Sequence, residues 1–347
     1  MKFVLTTGGT AGHINPAIAL AEELCDRGHN VLFAGTPNRL ESKLIPNEGY
    51  AFRGFKAVGF NRRHPLTLIK AINSIIKSTK EAKKWLEDEK PDAVVGFGCY
   101  VSLAICRAAM KLNIPVVIHE QNSVMGMANK YLSKRVNATC LTYEHADTGK
   151  CREVILTGNP VRKKFFKTTK EEGRKLLNIP LDAKMLLVFG GSLGAKHINE
   201  AIYKMKDKIL EDKNFYIVHI TGKDTYDSED RYQVLEYQDR MAETMAAADK
   251  CISRAGASSL AEITAMKLPS LLIPYPLATE NHQFYNAQSL IDSGCAMYMS
   301  DENIGKPEFE NAVFKLLEDE DMAIAFKDID ARESVKKLAD VVCGIVV

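Results

Sequence analysis

One arrangement occurs twice in this chain and limits its fold more than any other feature: a short apolar run, a glycine-rich turn, then a helix-forming stretch. The first copy enters Thr7-Gly8-Gly9-Thr10-Ala11-Gly12-His13 from the run at 3–6. The second enters Gly190-Gly191-Ser192-Leu193-Gly194-Ala195 from the run at 185–189. Glycine lets the backbone turn and approach a ligand closely, and the helix that follows offers unpaired N–H groups to an anion. Around both copies, β-branched runs alternate with amphipathic stretches. Strands are predicted at 3–6, 30–34, 51–55, 93–96, 116–119, 138–141 and 154–156. The pattern restarts near residue 170, with strands at 185–189, 215–220, 250–253, 270–273 and 296–299. Helices are predicted at 15–27 and 100–111, then at 195–209, 241–247, 258–266, 281–292 and 307–317. Strands separated by helices give parallel sheets covered on both faces. The expected fold class is therefore α/β, with two Rossmann-like doubly wound domains meeting near 158–169. Ligands of such sheets lie at the carboxyl ends of the strands, so a cleft between the two domains is the expected site.

Length and charge agree. A chain of 347 residues exceeds one core of about 150. No run of about 18 apolar residues is present, and the first seven residues are too short an apolar burst for a signal peptide. The eight cysteines form no C-x-x-C pair and no Cys/His cluster, which reads as free thiols in a reducing cytoplasm. Net charge is +2 but uneven: residues 1–160 carry 21 Lys and Arg against 14 Asp and Glu, and residues 161–347 carry 25 against 30. A basic first half suits an anionic partner, whether phosphate, lipid headgroup or nucleic acid; ordinary scatter of surface charge is the alternative.

The loops narrow the chemistry. A dinucleotide fingerprint needs G-x-G-x-x-G and an acid closing the second strand, whereas this chain has G-G-x-x-G-H and Ala34-Gly35-Thr36. His13 ends the first loop, where it is either a helix-cap residue or a general base able to take a proton near neutral pH. In Ser253-Arg254-Ala255-Gly256-Ala257-Ser258-Ser259, the chain turns at Gly256 and Ser258 can cap a helix. Glu262 then lies about one turn inside, either as a capping-box-like acid or as a carboxylate accepting two ribose hydroxyls. His119-Glu120-Gln121-Asn122 invites a zinc reading, but no second histidine stands at i+4. Residues 61–84 hold seven Lys or Arg against one acid, interleaved with Leu66, Leu68, Ile69, Ile72, Ile75 and Ile76. The spacing of Leu68, Ile72, Ile75 and Ile76 predicts partial packing on the sheet. Arg62, Arg63, Lys70, Leu66, Leu68 and Ile69 make a candidate contact with an anionic membrane surface. The alternative is a solvated basic helix. A nucleic-acid surface fits less well, because the basic run has few aromatics for stacking.

Six motifs in order carry a family resemblance over essentially the whole chain: GGTAGH at 8–13, GFGCYVS at 96–102, HEQN at 119–122, GNPVR at 158–162, GGSLGA at 190–195 and SRAGASSLAEI at 253–263. The chain resembles the MurG family of bacterial N-acetylglucosaminyltransferases. The resemblance implies a GT-B fold with a first domain over 1–162, a second over 163–331 and a C-terminal helix in 332–347 returning to the first. It implies inverting transfer from UDP-N-acetylglucosamine to the 4-hydroxyl of the muramyl sugar of lipid I, giving lipid II and UDP. In the second domain, Ser192 and Gly191, with Arg162 from the junction, match positions at the donor pyrophosphate. Glu262 matches the ribose acid, Ala257 and Ser259 flank it, His282 and Gln283 match sugar contacts, and Tyr237-Gln238 should read the uracil edge. In the first domain, Gly9, His13, Tyr100, His119 and Gln121 match the acceptor and catalytic surface, with His119 the rival base. Thr10, Gly12 and Asn122 are counted with the donor ligands. Two departures stand out: His282-Gln283 replaces a pair of glutamines, and Cys99 replaces a glycine.

The resemblance further implies no cofactor and no tightly bound metal, since no DxD-like pair stands at a strand end. The expected location is the cytoplasmic face of the bacterial membrane, with lipid I, an anionic phospholipid surface and cell-wall or division proteins as partners and no nucleic acid. The competing readings are a diacylglycerol-type glycosyltransferase and a non-catalytic nucleotide-sugar-binding protein.

Overall fold

All twelve predicted strands form; the central ones, such as those at 3–6, 93–96 and 116–119, are apolar runs buried on both faces, whereas those at 51–54 and 154–156 are partly exposed. The computed structural model describes residues 1–59, 67–144, 151–191, 195–327 and 329–346. These divide into two compact units, Met1–Arg162 with Arg332–Val347, and Lys163–Ala331.

In the first unit the strands are β1 (Lys2–Thr6), β2 (Asn30–Gly35), β3 (Ala51–Gly54), β4 (Ala93–Gly96), β5 (Val116–Glu120), β6 (Ala138–Leu141) and β7 (Val154–Leu156). They form one parallel sheet in the order β3-β2-β1-β4-β5-β6-β7. β1 is the pivot, with Phe3 paired to Val31 on one side and to Ala93 on the other. The helices are α1 (Ala11–Asp26), α2 (Glu41–Asn47), α3 (Thr67–Glu89), α4 (Cys99–Lys111) and α5 (Met127–Leu132). Alternate residues of β1 enter opposite cores. Phe3 and Leu5 pack with Ile14, Ile18 and Phe33, whereas Val4 packs with Ile105 and Leu86. That period of two is what a doubly wound sheet demands.

The second unit holds β8 (Lys184–Phe189), β9 (Phe215–Ile220), β10 (Tyr232–Leu235), β11 (Lys250–Ser253), β12 (Ser270–Leu272) and β13 (Ala296–Tyr298), parallel, in the order β10-β9-β8-β11-β12-β13. Its helices are α6 (Lys164–Lys167), α7 (Lys170–Leu177), α8 (Lys196–Ile209), α9 (Met241–Ala247), α10 (Ala257–Met266), α11 (His282–Asp292), α12 (Pro307–Glu318) and α13 (Met322–Ala325). A capping box between Thr169 and Glu172 starts α7, and Pro307 opens α12. β10 was not predicted: its four residues lie at the sheet edge, and only Tyr232 is fully buried.

The last helix, α14 (Glu333–Gly344), packs in the first unit. Leu338, Ala339 and Val342 join the core around Phe3 and Leu24, and Arg27 pairs with Asp340 at 2.6 Å. All eight cysteines are free thiols. Among the described residues, no helix is long and apolar enough to cross a membrane.

α3 corrects one expectation. Its buried stripe is Ala71, Ile75, Ser78, Thr79, Ala82 and Leu86. Of the four apolar residues expected to pack, only Ile75 does so; Leu68, Ile72 and Ile76 are exposed, as is Ile69 at 63%. Small residues at the contact let α3 approach α4 closely, which leaves its larger apolar side chains on the opposite side.

Candidate active site

In each unit the strand order reverses direction beside the first strand, between β1 and β4 and between β8 and β11. At such a switch point, the loops leaving adjacent strands run to opposite faces and open a crevice. Gly8 and Gly9 follow β1 at the first position, and Gly190 and Gly191 follow β8 at the second, as the sequence predicts.

At the first switch point α1 begins at Ala11 behind Thr10, and α4 begins at Cys99 behind Gly98. Neither helix is closed by a side-chain cap. Gly9 and Gly98 adopt φ of +95° and +86°, values that glycine reaches without strain. Cys99 holds φ of +69°, a conformation that glycine would reach without strain. Its Sγ lies 3.5 Å from Ser102 Oγ, and burial pushes its thiol pKa up. Gly9 and Thr10 are exposed and Gly12 is half-buried. The Tyr100 ring covers Gly59 so closely that a β-carbon there would sit 2.3 Å from it.

His13 lies in this crevice. A β-carbon at Gly98 would stand 3.3 Å from His13 Cδ2 and 3.4 Å from Nε2. The residue is half-buried, but its Nδ1 is shut away from solvent with no hydrogen-bond partner. Burial lowers its pKa, opposed by the carboxylates of Glu120 and then Glu41. The imidazole is thus held neutral at physiological pH, the state a general base requires.

His119 is different in kind. It is fully buried at the end of β5. Its Nε2 donates to the Gly158 carbonyl at 2.9 Å, so Nδ1 is the acceptor, and Gln121 Nε2 donates to it at 3.2 Å. Burial drives its pKa down to about 4. Both ring nitrogens of His119 are thus engaged by neighbouring groups. Gln121 is also buried, and its side-chain amide holds the His119 ring. Glu120 collects four donors: Asn122 N at 3.1 Å and Nδ2 at 3.3 Å, Gly126 N at 3.0 Å and Asn129 Nδ2 at 2.9 Å. Asn122, half-buried, is held by that carboxylate.

At the second switch point Gly190 and Gly191 lead toward α8. Gly191 is exposed, with φ of +87° and nothing within 4 Å of a β-carbon placed on it. Ser192 lies outside the described residues, as do Arg62, Arg63 and Leu66. Neither α8 nor α10 is closed by a side-chain cap. The cap residue of α10 is Gly256, so Ser258 falls inside the helix and does not cap it, contrary to expectation. Ala257 is buried, while Ser259 and Glu262 on α10 are half-buried. Gln283 Oε1 accepts from Tyr275 N at 2.9 Å, and His282 Nδ1 donates to the Thr279 carbonyl at 2.9 Å. Tyr237 is exposed, and Gln238 Oε1 accepts from Arg240 N.

Arg162 ends the first unit. Its Nε donates to Glu22 at 2.9 Å, and Nη1 and Nη2 donate to Glu48 at 2.6 and 2.5 Å. Its charge is balanced in this arrangement. Contact with a pyrophosphate requires that the exposed Glu48 be exchanged for phosphate oxygens.

Sequence reasoning missed Glu41, Asn129 and the role of Arg254. Arg254 pairs with Asp301 at 2.5 Å, and its Nη1 donates to the Ile273 carbonyl at 3.2 Å, which ties the loop after β11 to the loop after β12. No helical or strand periodicity marks these residues, since each meets its partners across a loop or from another element. Among the described residues, no group of three or more His, Cys, Asp or Glu side chains is placed to hold a metal ion.

A model of the glycosyltransferase family 28 N-terminal domain matches residues 3–141, and one of that family's C-terminal domain matches residues 185–342. The UDP-N-acetylglucosamine--N-acetylmuramyl-(pentapeptide) pyrophosphoryl-undecaprenol N-acetylglucosamine transferase of Halothermothrix orenii is 39% identical over 337 residues, covering 92% of this chain and 91% of its own. The protein of that name from Acetivibrio thermocellus is 34% identical, covering 99% and 98%. The crystal structure of Acinetobacter baumannii MurG matches with a TM-score of 0.75 and 27% identity over 99% of both chains. A kitacinnamycin glycotransferase reaches 0.72 at 14% identity over 99% of this chain and 98% of its own, a likeness of fold.

Proposed function

This chain belongs to glycosyltransferase family 28 in both of its halves, and from that premise we propose that it transfers N-acetylglucosamine from UDP-N-acetylglucosamine to lipid I. Its two doubly wound units are those of the GT-B fold. The observation that carries the reading is likeness to transferases of this one name at 34–39% identity over nearly the whole chain.

The reaction is a single displacement with inversion. The muramyl 4-hydroxyl attacks the anomeric carbon as His13 takes its proton, and the bond to UDP breaks with the electron pair leaving on the β-phosphate. Negative charge then grows on the diphosphate. Backbone N–H groups at the starts of α8 and α10, the Ser192 hydroxyl and Arg162 once released from Glu48 would meet that charge. Glu262 accepts the ribose hydroxyls, the backbone around Tyr237 and Gln238 reads the uracil edge, and His282 and Gln283 hold the sugar. The reading includes no tightly bound metal.

A lipid-linked acceptor brings the enzyme to a membrane. We assign that contact to α3, where exposed Leu68, Ile69, Ile72 and Ile76 sit among Lys70, Lys77 and Lys80. Apolar side chains with basic neighbours suit an anionic leaflet, at about 1 kcal/mol per basic residue near the surface. On this reading the enzyme works at the cytoplasmic face as a peripheral protein.

The deciding experiment offers radiolabelled UDP-N-acetylglucosamine with a lipid I analogue or with diacylglycerol. Transfer to the lipid I analogue alone supports the proposal. Transfer to diacylglycerol makes the chain a lipid glycosyltransferase of another kind, and UDP-sugar binding without transfer makes it a binding protein.

A further inference from the structure

We propose that Glu41 is a positioning residue for this transfer: its carboxylate fixes the loop that carries His13 and supplies part of the negative field in which His13 works. The inference rests on the reading of His13 as the base. Glu41 is the first residue of α2, and its side chain is fully buried. It reaches two loops that leave adjacent strands. Oε2 accepts from Gly9 N at 3.3 Å, in the loop after β1, and Oε1 accepts from Thr36 N at 3.0 Å, in the turn after β2.

The surrounding backbone is shaped to admit this carboxylate. A β-carbon on Gly8 would stand 2.5 Å from Glu41 Oε1, and one on Gly35 would stand 2.8 Å from Glu41 Cγ. At Gly8 the acid occupies the space a side chain would need; at Gly35 it shares that space with the Phe52 ring, also 2.8 Å away, and the Thr7 carbonyl. A buried carboxylate is costly unless its oxygens are satisfied. The Gly9 amide of the His13 loop and the Thr36 amide of the turn after β2 provide part of that satisfaction, and in return they are held in place.

The second effect is electrostatic. The acids bearing on His13 are Glu120 from the end of β5 and Glu41 from α2. Cys99, beside Gly98 at the start of α4, has a thiol kept protonated by burial. Both carboxylates counter the burial that would otherwise make His13 a weaker base. Removing the Glu41 charge while keeping its shape should therefore lower the His13 pKa and move the acid limb of the rate profile downward.

The test uses the full chain and two variants. Glu41→Gln keeps length and removes charge; Glu41→Asp keeps charge and shortens the reach. Turnover is measured against pH with UDP-N-acetylglucosamine and a lipid I analogue, and His13 is titrated by NMR on histidine-labelled protein. In Glu41→Gln, kcat should fall about tenfold or more with donor KM within about twofold, and the acid limb and the His13 titration should shift down together by about half a pH unit or more. In Glu41→Asp, kcat should fall similarly while the acid limb stays near that of the native enzyme. If Glu41→Gln leaves kcat within twofold, or leaves the His13 titration in place, the proposal is overturned. Should Glu41→Gln not fold, Glu41→Asp decides: native kcat there removes the positioning role. Near-normal turnover in His13→Ala would remove the base itself, and that result is independent of whether Glu41 shifts the His13 titration.

Discussion

At the scale of single residues, the proposed base and its rival histidine sit in different surroundings. The His13 ring rests against Gly98, and with Nδ1 shut away from solvent its Nε2 is the nitrogen left for an incoming hydroxyl, whereas both nitrogens of His119 are engaged by Gly158 and Gln121. His13→Ala should lower turnover by about 10²–10⁴-fold, the usual worth of general base catalysis. UDP-sugar affinity, read by calorimetry, should change little, because the donor ligands lie mainly in the second unit. Retained turnover would transfer the role elsewhere. Glu262→Ala should do the reverse. Stranding two ribose hydroxyls costs about 1–3 kcal/mol, so donor affinity should fall by roughly tenfold or more while the thermal midpoint stays close to native. Equal donor affinity in the two proteins would remove Glu262 from the site. The motif around Glu262 was legible in the sequence, whereas Glu41 was not, because an acid opening a short helix reads as ordinary helix-terminus chemistry. Its partners, Gly9 and Thr36, become neighbours only when β1 pairs with β2.

At the scale of elements, α3 and α14 each carry a prediction. α3 buries small residues and exposes Leu68, Ile69, Ile72 and Ile76. Replacing Ile69 and Ile72 with Ser and Lys70 and Lys77 with Gln should lower co-sedimentation with anionic liposomes, and raised salt should weaken the native protein's binding in the same direction. Equal pelleting of mutant and native protein would make α3 an ordinary surface helix. α14 returns from the end of the chain to bury Val335, Leu338, Ala339 and Val342 in the first unit. A fully buried Leu or Val contributes about 1.5–3 kcal/mol. Truncation at residue 331 should therefore lower the unfolding temperature of the first unit markedly, and more than Arg27→Ala, which removes the partly exposed pair with Asp340. A truncated chain with native melting behaviour would show that α14 is dispensable. The amphipathic stripe of α3 was visible in sequence, but which of its apolar residues face inward was not, because helical spacing fixes neighbours without fixing which side meets the sheet.

For the molecule as a whole, among the described residues each unit carries one fully buried histidine held neutral. His119 serves the first. His219 serves the second, its Nε2 donating to Asn199 Oδ1 at 3.0 Å and its Nδ1 accepting from Tyr232 OH at 2.9 Å. Burial lowers both pKa values from 6.5 to about 4. Between those values the unfolded chain takes up protons that the folded chain refuses. The stability they contribute is thus full above pH 6.5 and is lost as pH falls toward 4, on the order of 3 kcal/mol per histidine. Thermal unfolding should show midpoints falling steadily from pH 7 to pH 5, with a shallower fall in His219→Gln; a flat profile would contradict the assignment. What the sequence determined by itself was the local grammar: twelve strands, the two glycine-rich turns and the doubly wound class. Those follow from side-chain periodicity and glycine's conformational freedom, which act within a few residues along the chain. What only the tertiary structure decided was which polar groups meet: Glu41 with Gly9 and Thr36, Arg254 with Asp301, His119 with Gly158, and the outward turn of α3. These contacts join residues from different strands and helices, and their partners are set by sheet order and close packing, which no spacing along the chain encodes.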